Sequence, residues 1–217
     1  MSFLDLLGLL ALGAGYTVLV TLACNATGLA TGLTVALLGR LQMPWLDRLL
    51  RLYVQTLRGI PVLVLLFMVF FGLSGIGVNL PPLVSMMLSL GLIAGAYLAE
   101  VFRGALASVD EAEILAATAM GMRRHQIFFS IELPQMLRFA VPGMLNEFTT
   151  VLKYSPFAYT VGIPEIMKQA MTLAATTLRG LEVYLGAGLL YFAIYKIMLA
   201  ALRAVERHYS VPGFRRL

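Results

Sequence analysis

Charged side chains are scarce in this 217-residue chain, where they make up 12% of the residues against 60% for hydrophobic ones, with a mean hydropathy of +0.88. A soluble domain carries roughly 25% charged residues. So little charge cannot coat a globule that dissolves in water. The composition therefore excludes an ordinary soluble domain and indicates a protein whose solvent is the lipid bilayer.

Cysteine and histidine are nearly absent as well. The one cysteine, Cys24, excludes an internal disulfide. The two histidines, His125 and His208, are far apart, are expected in loops and lack metal-ligand spacing, so we predict no metal site. The chain also has no glycine-rich P-loop, and any nucleotide chemistry is expected in another subunit.

Long uncharged runs divide the chain into segments of the about 20 residues that cross a bilayer. The first run, residues 6–39, has no basic start, so we interpret it as a short interfacial helix plus a retained span. Glycines and the Pro81-Pro82 pair divide the second run, residues 59–99, into two spans joined by a hairpin. We predict five spans, at residues 13–38, 50–71, 83–106, 139–162 and 183–202.

The arginines indicate how these spans are oriented. The formal net charge is +5, yet the basic residues lie at the edges of apolar runs, which is typical of membrane proteins and not of nucleic-acid binders. An outside amino terminus places three groups of arginines in the cytoplasm: Arg40, Arg48, Arg51 and Arg58; Arg103, Arg123, Arg124 and Arg138; and Arg203, Arg207, Arg215 and Arg216. The outside segments then hold only Lys168 and Arg179, so the positive-inside rule favours this orientation.

Glycines recur at helix-packing spacing in two of the spans. Gly28 and Gly32 lie in the first span, and Gly91 and Gly95 lie in the third. In lipid such pairs let two helix backbones approach closely. The pattern predicts that the spans form a bundle.

A polar segment, residues 108–134, separates the third span from the fourth. It opens with Asp110, Glu111 and Glu113, which suit a helix amino end, and an Ala-rich helix over residues 115–120 stops at Gly121. We expect a helix–turn–helix at the cytoplasmic face. The pattern alone leaves two interpretations open: a rigid helix that docks into a groove on a soluble partner, or an ordinary amphipathic connection.

The spacing within this segment resembles the coupling-loop motif of ABC importer permeases, Glu-Ala-Ala, Gly and Ile-x-Leu-Pro. The matching positions are Leu115, Ala116, Ala117, Gly121, Ile131, Leu133 and Pro134, and only Leu115, in place of glutamate, departs in type. Glu111, one helical turn earlier on the same face, is placed to substitute for it. Alternatively, a second, non-identical permease subunit carries the full motif.

Three further sequences are similar to those of the polar amino acid permeases of the histidine, glutamine and glutamate uptake type. They are Arg58-Gly59-Ile60-Pro61, residues 96–104, and Asn146-Glu147-Phe148 with Leu152-Lys153-Tyr154-Ser155. Tyr154 stands where the family commonly has aspartate. Together with the loop, the resemblance covers residues 13–167, most of the chain.

This resemblance implies an all-α fold, the transmembrane domain of a type I ABC importer. It implies a single transmembrane domain over residues 1–217, with residues 108–134 as its cytoplasmic coupling loop. The expected function is a permease subunit that moves polar amino acids across the bacterial inner membrane. The chain itself is expected to be no enzyme and to hold no cofactor, because ATP and Mg²⁺ bind the partner ATPase. The other expected partners are a second permease subunit and an extracytoplasmic substrate-binding protein.

Two charges fall inside the fourth predicted span. A charge at the bilayer centre costs at least ~2.5–3.5 kcal/mol and usually faces the bundle interior or a water-filled cavity. Glu147 and Lys153 lie six residues apart, about 120° off a common helix face, and are not expected to neutralise each other. We assign them to a substrate path with Asn146, Thr150 and Ser155; the alternative is that they pair with other helices and hold the bundle. For Glu100 and Arg103 we predict an i,i+3 ion pair.

Three rival functions remain open at this stage. A secondary transporter or channel is disfavoured because no internal repeat divides the chain into paired halves. An intramembrane enzyme lacks a Ser/His or paired-Asp constellation within the spans. A scaffold half of a heteromeric permease stays open because of the departures at Leu115 and Tyr154.

Overall fold

The computed structural model describes residues 2–41 and 43–209, and within them it contains helices and connecting segments but no strand. The helices are α1 (Phe3–Ala11), α2 (Ala14–Gly39), α3 (Pro44–Gly59), α4 (Val62–Gly75), α5 (Pro82–Ala107), α6 (Glu111–Ala119), α7 (residues 124–154), α8 (Ile166–Thr177) and α9 (Gly180–Tyr209). A π-helical turn, Phe128–Glu132, lies within α7, and a 3₁₀ segment, Ser155–Val161, follows it. The all-α fold class is confirmed.

Three stretches of the described chain are long and apolar enough to cross a membrane, namely Phe3–Gly39, Pro82–Ala107 and Gly180–Ala204. The pair α3 and α4 makes a fourth if it counts as one bent span. The first stretch consists of a short helix followed by a long one, as predicted. Helix α7 covers only residues 139–154 of the fourth predicted span, and the 3₁₀ segment that follows covers most of the rest. The helix does not pass the same test because Arg138, Glu147 and Lys153 reduce its apolar character.

The predicted span at residues 50–71 is not one continuous helix. Helix α3 ends at Gly59, α4 begins at Val62, and their axes differ by 104°. Pro61 causes the break, because proline has no N–H to donate and its ring keeps the preceding residue out of the helical region. Ile60 accordingly has an extended backbone with φ −93° and ψ 129°.

Two smaller predictions also need correction. His125 lies in the first turn of α7 rather than in a loop, and the backbone of His208 belongs to α9. The helix predicted over residues 115–120 is longer at its amino end, because Asp110 caps it and Glu111 begins it. Arg215 and Arg216 lie outside the described residues.

Close packing of α2 against α5 is the centre of the fold. A Cβ atom on Gly32 would lie 2.7 Å from the Leu98 Cβ, and one on Gly28 would lie 2.9 Å from the Ala94 Cβ. A Cβ on Gly91 would in turn lie 2.9 Å from the Thr27 Cβ. The absence of a Cβ at these glycines lets the backbones of α2 and α5 approach closely. The predicted packing role of the Gly28/Gly32 and Gly91/Gly95 pairs is therefore confirmed.

Replacing Gly32 with valine should destabilise the bundle by about 1–3 kcal/mol, because the added methyl groups overlap Leu98 and the Gly95 carbonyl. We expect a lower thermal unfolding temperature for the purified protein in detergent. Gly15→Val is the matched control on the same helix, since no atom lies within 4 Å of a Cβ built there. Equal unfolding temperatures for the two variants would contradict the packing role.

Buried apolar clusters hold α7 in place beside this pair. Near the carboxyl ends of α2 and α5, Leu98 and Phe102 pack with Met136 and Ala140 of α7. At the opposite end, Leu6 and Leu10 of α1 pack with residues of α8 and α9, namely Ile166, Ala170, Val183 and Ala187. Helix α7 is thus fixed to α5 along one side, which leaves another side for polar residues.

Candidate substrate path and coupling loop

An exposed polar face runs along the second half of α7. Asn146 and Lys153 are exposed and Thr150 is half-buried; their spacing of four and three residues places them on one side of the helix. The Thr150 hydroxyl donates to the Asn146 carbonyl at 2.9 Å. The structure therefore brings three of the five predicted path residues together on a surface directed away from the chain's own core.

Lys153 stands at the end of this face. Its Nζ lies 6.0 Å from the centroid of the Tyr195 ring on α9, and no carboxylate among the described residues is within ion-pair distance of it. A cation over an aromatic face is attracted by the ring quadrupole but keeps its charge. Lys153 is thus held in position and is able to meet an anionic group.

Glu147 is buried on a different side of α7, as its six-residue spacing from Lys153 predicts. Within the described part of the chain it makes neither a hydrogen bond nor an ion pair. The positive charge of Arg58 attracts the Glu147 carboxylate electrostatically. The Arg58 guanidinium itself lies over the Tyr97 ring, 4.9 Å from its centroid. Glu147 and Lys153 therefore do not form a single two-point site within this chain.

Ser155 does not join the polar face. It is fully buried, and its hydroxyl donates to the Leu152 carbonyl at 2.8 Å where α7 passes into the 3₁₀ segment. Pro156 is the next residue and has no N–H for the helical ladder. Ser155 therefore lies in the core, at the junction between α7 and the 3₁₀ segment, and not on the polar face.

Glu100 and Arg103 form the predicted i,i+3 ion pair at the end of α5. Both of its hydrogen bonds, from Nε and from Nη2 of Arg103, run to the Glu100 carboxylate. The prediction for this pair is confirmed.

The predicted coupling loop, residues 108–134, is a hairpin of α6 and the start of α7. The Asp110 carboxylate caps α6 by accepting from the Ala112 amide at 2.9 Å. At the other end Gly121 has φ +79°, and the amides of Gly121 and Met122 donate to the carbonyls of Thr118 and Ala117. This is a Schellman ending, which favours glycine because other residues rarely adopt a positive φ.

Large apolar side chains cover the solvent side of this hairpin. Leu115 is 68% exposed, Met120 is 83% exposed and Phe129 is 64% exposed. Of the other motif positions, Ala116, Gly121 and Pro134 are exposed, Ile131 and Leu133 are half-buried, and Ala117 is buried. An apolar patch on a polar loop is typical of a surface that another protein covers.

Two side-chain contacts fasten the hairpin to the bundle. The Gln135 amide of α7 donates to the Glu113 carboxylate of α6. Glu132, in the π-helical turn, forms an ion pair with Arg40 at the end of α2, and the Arg40 guanidinium lies 5.7 Å from the centroid of the Phe128 ring. The sequence prediction missed the Arg40–Glu132 pair, because nothing in the local pattern connects residues 92 positions apart.

Glu165 makes a second buried polar contact, at the opposite end of α2. Its carboxylate accepts from the Lys168 amide at 2.8 Å and from the Tyr191 hydroxyl, and the neighbouring Ile166 amide donates to the Thr17 hydroxyl. Burial raises the pKa of Glu165 above its usual range, and these hydrogen bonds oppose that shift. The contact joins α2, α8 and α9.

Comparison with solved structures defines the class of this fold. One chain of a crystal structure of an amino acid ABC transporter with histidines superposes with a TM-score of 0.87 at 26% identity, covering 96% of this chain and 99% of that one. The two chains are built on the same helical plan. The predicted type I ABC importer transmembrane fold is confirmed.

Residues 28–211 match the model of the family described as the binding-protein-dependent transport system inner membrane component. The chain belongs to this family. It is 33% identical to the probable amino-acid permease protein YxeN of Bacillus subtilis over 199 residues, 90% of this chain and 89% of YxeN. It is also 33% identical to the histidine/lysine/arginine/ornithine transport system permease protein HisQ of Escherichia coli, over 73% of this chain and 75% of HisQ.

Proposed function

We propose that this chain is the membrane-spanning permease subunit of an ABC importer that moves polar amino acids into the cytoplasm. The observation that carries the proposal is the coupling loop, a capped hairpin with an apolar outer surface fastened to two membrane helices. The amino acid class rests on the relatives, whose names refer to amino acids and to histidine, lysine, arginine and ornithine. The polar face of α7 is compatible with that class.

The hairpin is the proposed docking site for an ATPase subunit. Leu115, Met120 and Phe129 supply the apolar contact area, and a short rigid helix suits insertion into a groove on the partner. ATP and Mg²⁺ bind the ATPase, so this chain carries no catalytic residue and no cofactor of its own. Leu115 in place of the motif glutamate favours a second permease subunit that is not identical to this one.

The proposed orientation has the amino terminus outside and the carboxyl terminus in the cytoplasm. Arg40 at the end of α2 contacts the coupling loop, so α2 ends on the ATPase side and begins on the other. The clustering of arginines on that same side supports this orientation. A substrate-binding protein would then deliver its ligand to the end that holds Glu165.

The mechanism follows from how the hairpin is fastened. Closure of the ATPases around ATP moves the hairpins, and the contacts of Glu132 and Gln135 pass that movement to α2 and α7. The two permease subunits then change from an inward-facing to an outward-facing arrangement, because ATP binding shifts the equilibrium toward the outward-facing one. The polar face of α7 lines the path between the subunits.

Reconstitution tests the proposal. Proteoliposomes that contain this chain, its ATPase, the second permease and the binding protein should take up radiolabelled basic, amide or acidic amino acids only when ATP is hydrolysed. Uptake that persists on an ion gradient without ATP would identify a secondary transporter instead. Substrate binding to the isolated permease pair bears on the scaffold alternative: a Lys153→Ala variant that binds as tightly as the wild type would indicate that Lys153 of this chain is not part of the substrate site.

A further inference from the structure

A cavity of about 550 Å³ opens between α2, α3 and α5 at the end of the bundle that carries the coupling loop. Its volume is within the range of small-molecule sites. The apolar part of its wall consists of side chains such as Val35, Leu50, Val54 and Leu106. The charged part consists of four arginines and two acids, which are Arg40, Arg51, Arg58, Arg103, Asp47 and Glu100.

The wall therefore carries an excess of positive charge beside an apolar surface. Three of the arginines have partners: Arg40 pairs with Glu132, Arg103 pairs with Glu100, and Arg58 lies over Tyr97. Arg51 is exposed and has no hydrogen bond, ion pair or ring contact within residues 2–41 and 43–209. A ligand that fits this wall needs an anionic group to pair with Arg51 and an apolar part to contact the apolar side chains of the cavity.

Helix α3, which forms one side of the cavity, has the character of a helix that lies in a membrane interface. Leu46 and Val54 are buried against the bundle, whereas Trp45, Leu49 and Leu52 are exposed on a separate apolar face. Arg48 and Arg51 lie between these faces. Interfacial helices bury an apolar face at the level of the lipid headgroups and keep their cations near anionic lipids.

We propose that this cavity binds an anionic phospholipid of the cytoplasmic leaflet. Its phosphate lies at Arg51, and its acyl chains follow the apolar wall formed by Leu50 and Val54. Basic pockets between membrane helices on the cytoplasmic side recognise anionic headgroups in this way. The side of the membrane rests on the proposed orientation, but the binding itself can be measured without any transport.

The test is lipid binding to the assembled, delipidated complex, measured by native mass spectrometry with phosphatidylglycerol and with phosphatidylcholine of the same acyl chains. We expect phosphatidylglycerol to bind more tightly, and Arg51→Gln to weaken it about fivefold, since one arginine near anionic lipid contributes roughly that factor. Arg48→Gln is the matched control, because Arg48 has the same charge on the same helix but does not line the cavity. Arg51→Lys should retain most of the affinity.

Three results would overturn the proposal. Equal binding of the two lipids would mean that the cavity does not recognise an anionic headgroup. If Arg48→Gln weakened phosphatidylglycerol binding as much as Arg51→Gln, the lipid would be attracted diffusely to a basic surface and not held in the cavity. Displacement of the lipid by soluble glycerol phosphate or by the transported amino acid, at comparable affinity, would assign the cavity to a soluble ligand. Loss of ATP-driven uptake with intact phosphatidylglycerol selectivity would contradict the proposed function alone.

Discussion

Replacing Lys153 with alanine should lower amino acid uptake about 10- to 100-fold at limiting substrate, because one hydrogen bond to a charged group is worth about 1.5–3 kcal/mol. Lys153 is exposed on the polar face of α7, where we propose that its ammonium group meets the carboxylate of a substrate. The change removes no buried contact, so the complex should still assemble. Uptake by proteoliposomes and co-purification of the ATPase measure the two effects separately.

Lys196→Ala is the matched control for this variant. Lys196 is also an exposed lysine over an aromatic ring, at 5.2 Å from the Phe192 centroid, but it belongs to α9. Uptake should change little when it is replaced. If both lysine variants transport at the wild-type rate, Lys153 does not line the substrate path.

The Glu147→Gln variant distinguishes a role of the buried carboxylate in the substrate path from a role in holding the helix bundle together. The change conserves volume and removes the charge opposite Arg58. A role in the path predicts weaker substrate affinity in a complex that assembles normally. A role in holding the bundle predicts poor assembly instead, since the electrostatic attraction between the Glu147 carboxylate and Arg58 is then lost.

Breaking the Arg40–Glu132 pair should reduce the amount of substrate imported per ATP hydrolysed, by about 2- to 30-fold. Glu132 is almost fully buried, with 6% of its side chain exposed, and Arg40 holds it against the end of α2. Removing Arg40 leaves the buried Glu132 carboxylate without a counter-charge, and removing the Glu132 charge breaks the contact itself, so in both cases the hairpin should lose its attachment to α2. ATPase activity should continue, because the docking surface of Leu115, Met120 and Phe129 is unchanged.

Exchanging the two residues makes the test specific. The double variant Arg40→Glu with Glu132→Arg should recover much of the coupling that Glu132→Gln loses. Glu182→Gln, which breaks the half-buried Arg179–Glu182 pair at the start of α9, is the control and should leave coupling unchanged. Additive losses in the double variant would mean that the two residues do not act as a pair.

The predictions that held concern features encoded locally. The helix–turn–helix shape of residues 108–134 was predictable because Asp110 and Gly121 have intrinsic backbone preferences at helix ends. The Glu100–Arg103 pair followed from helical spacing, and the packing of α2 on α5 followed from glycines four residues apart. Each of these needs only the chemistry of a few neighbouring residues.

The features that escaped prediction depend on how distant segments meet. The position of Pro61 favoured a break, but the 104° angle between α3 and α4 depends on what each helix packs against. Asn146, Thr150 and Ser155 looked equivalent in the sequence, yet Ser155 lies in the core. The Arg40–Glu132 and Glu165–Tyr191 contacts join residues far apart in the chain.

The sequence by itself therefore determined that the chain is apolar enough for a lipid bilayer, that its fold is all-α and that α6 and the start of α7 form a hairpin. Hydropathy and helix-end preferences suffice for these features because they act over one or two helical turns. Only the tertiary structure decided which polar residues face outward, which charges find partners and where a cavity opens beside α3. Those outcomes depend on side chains from different helices that compete for the same small space, and no local pattern records that competition.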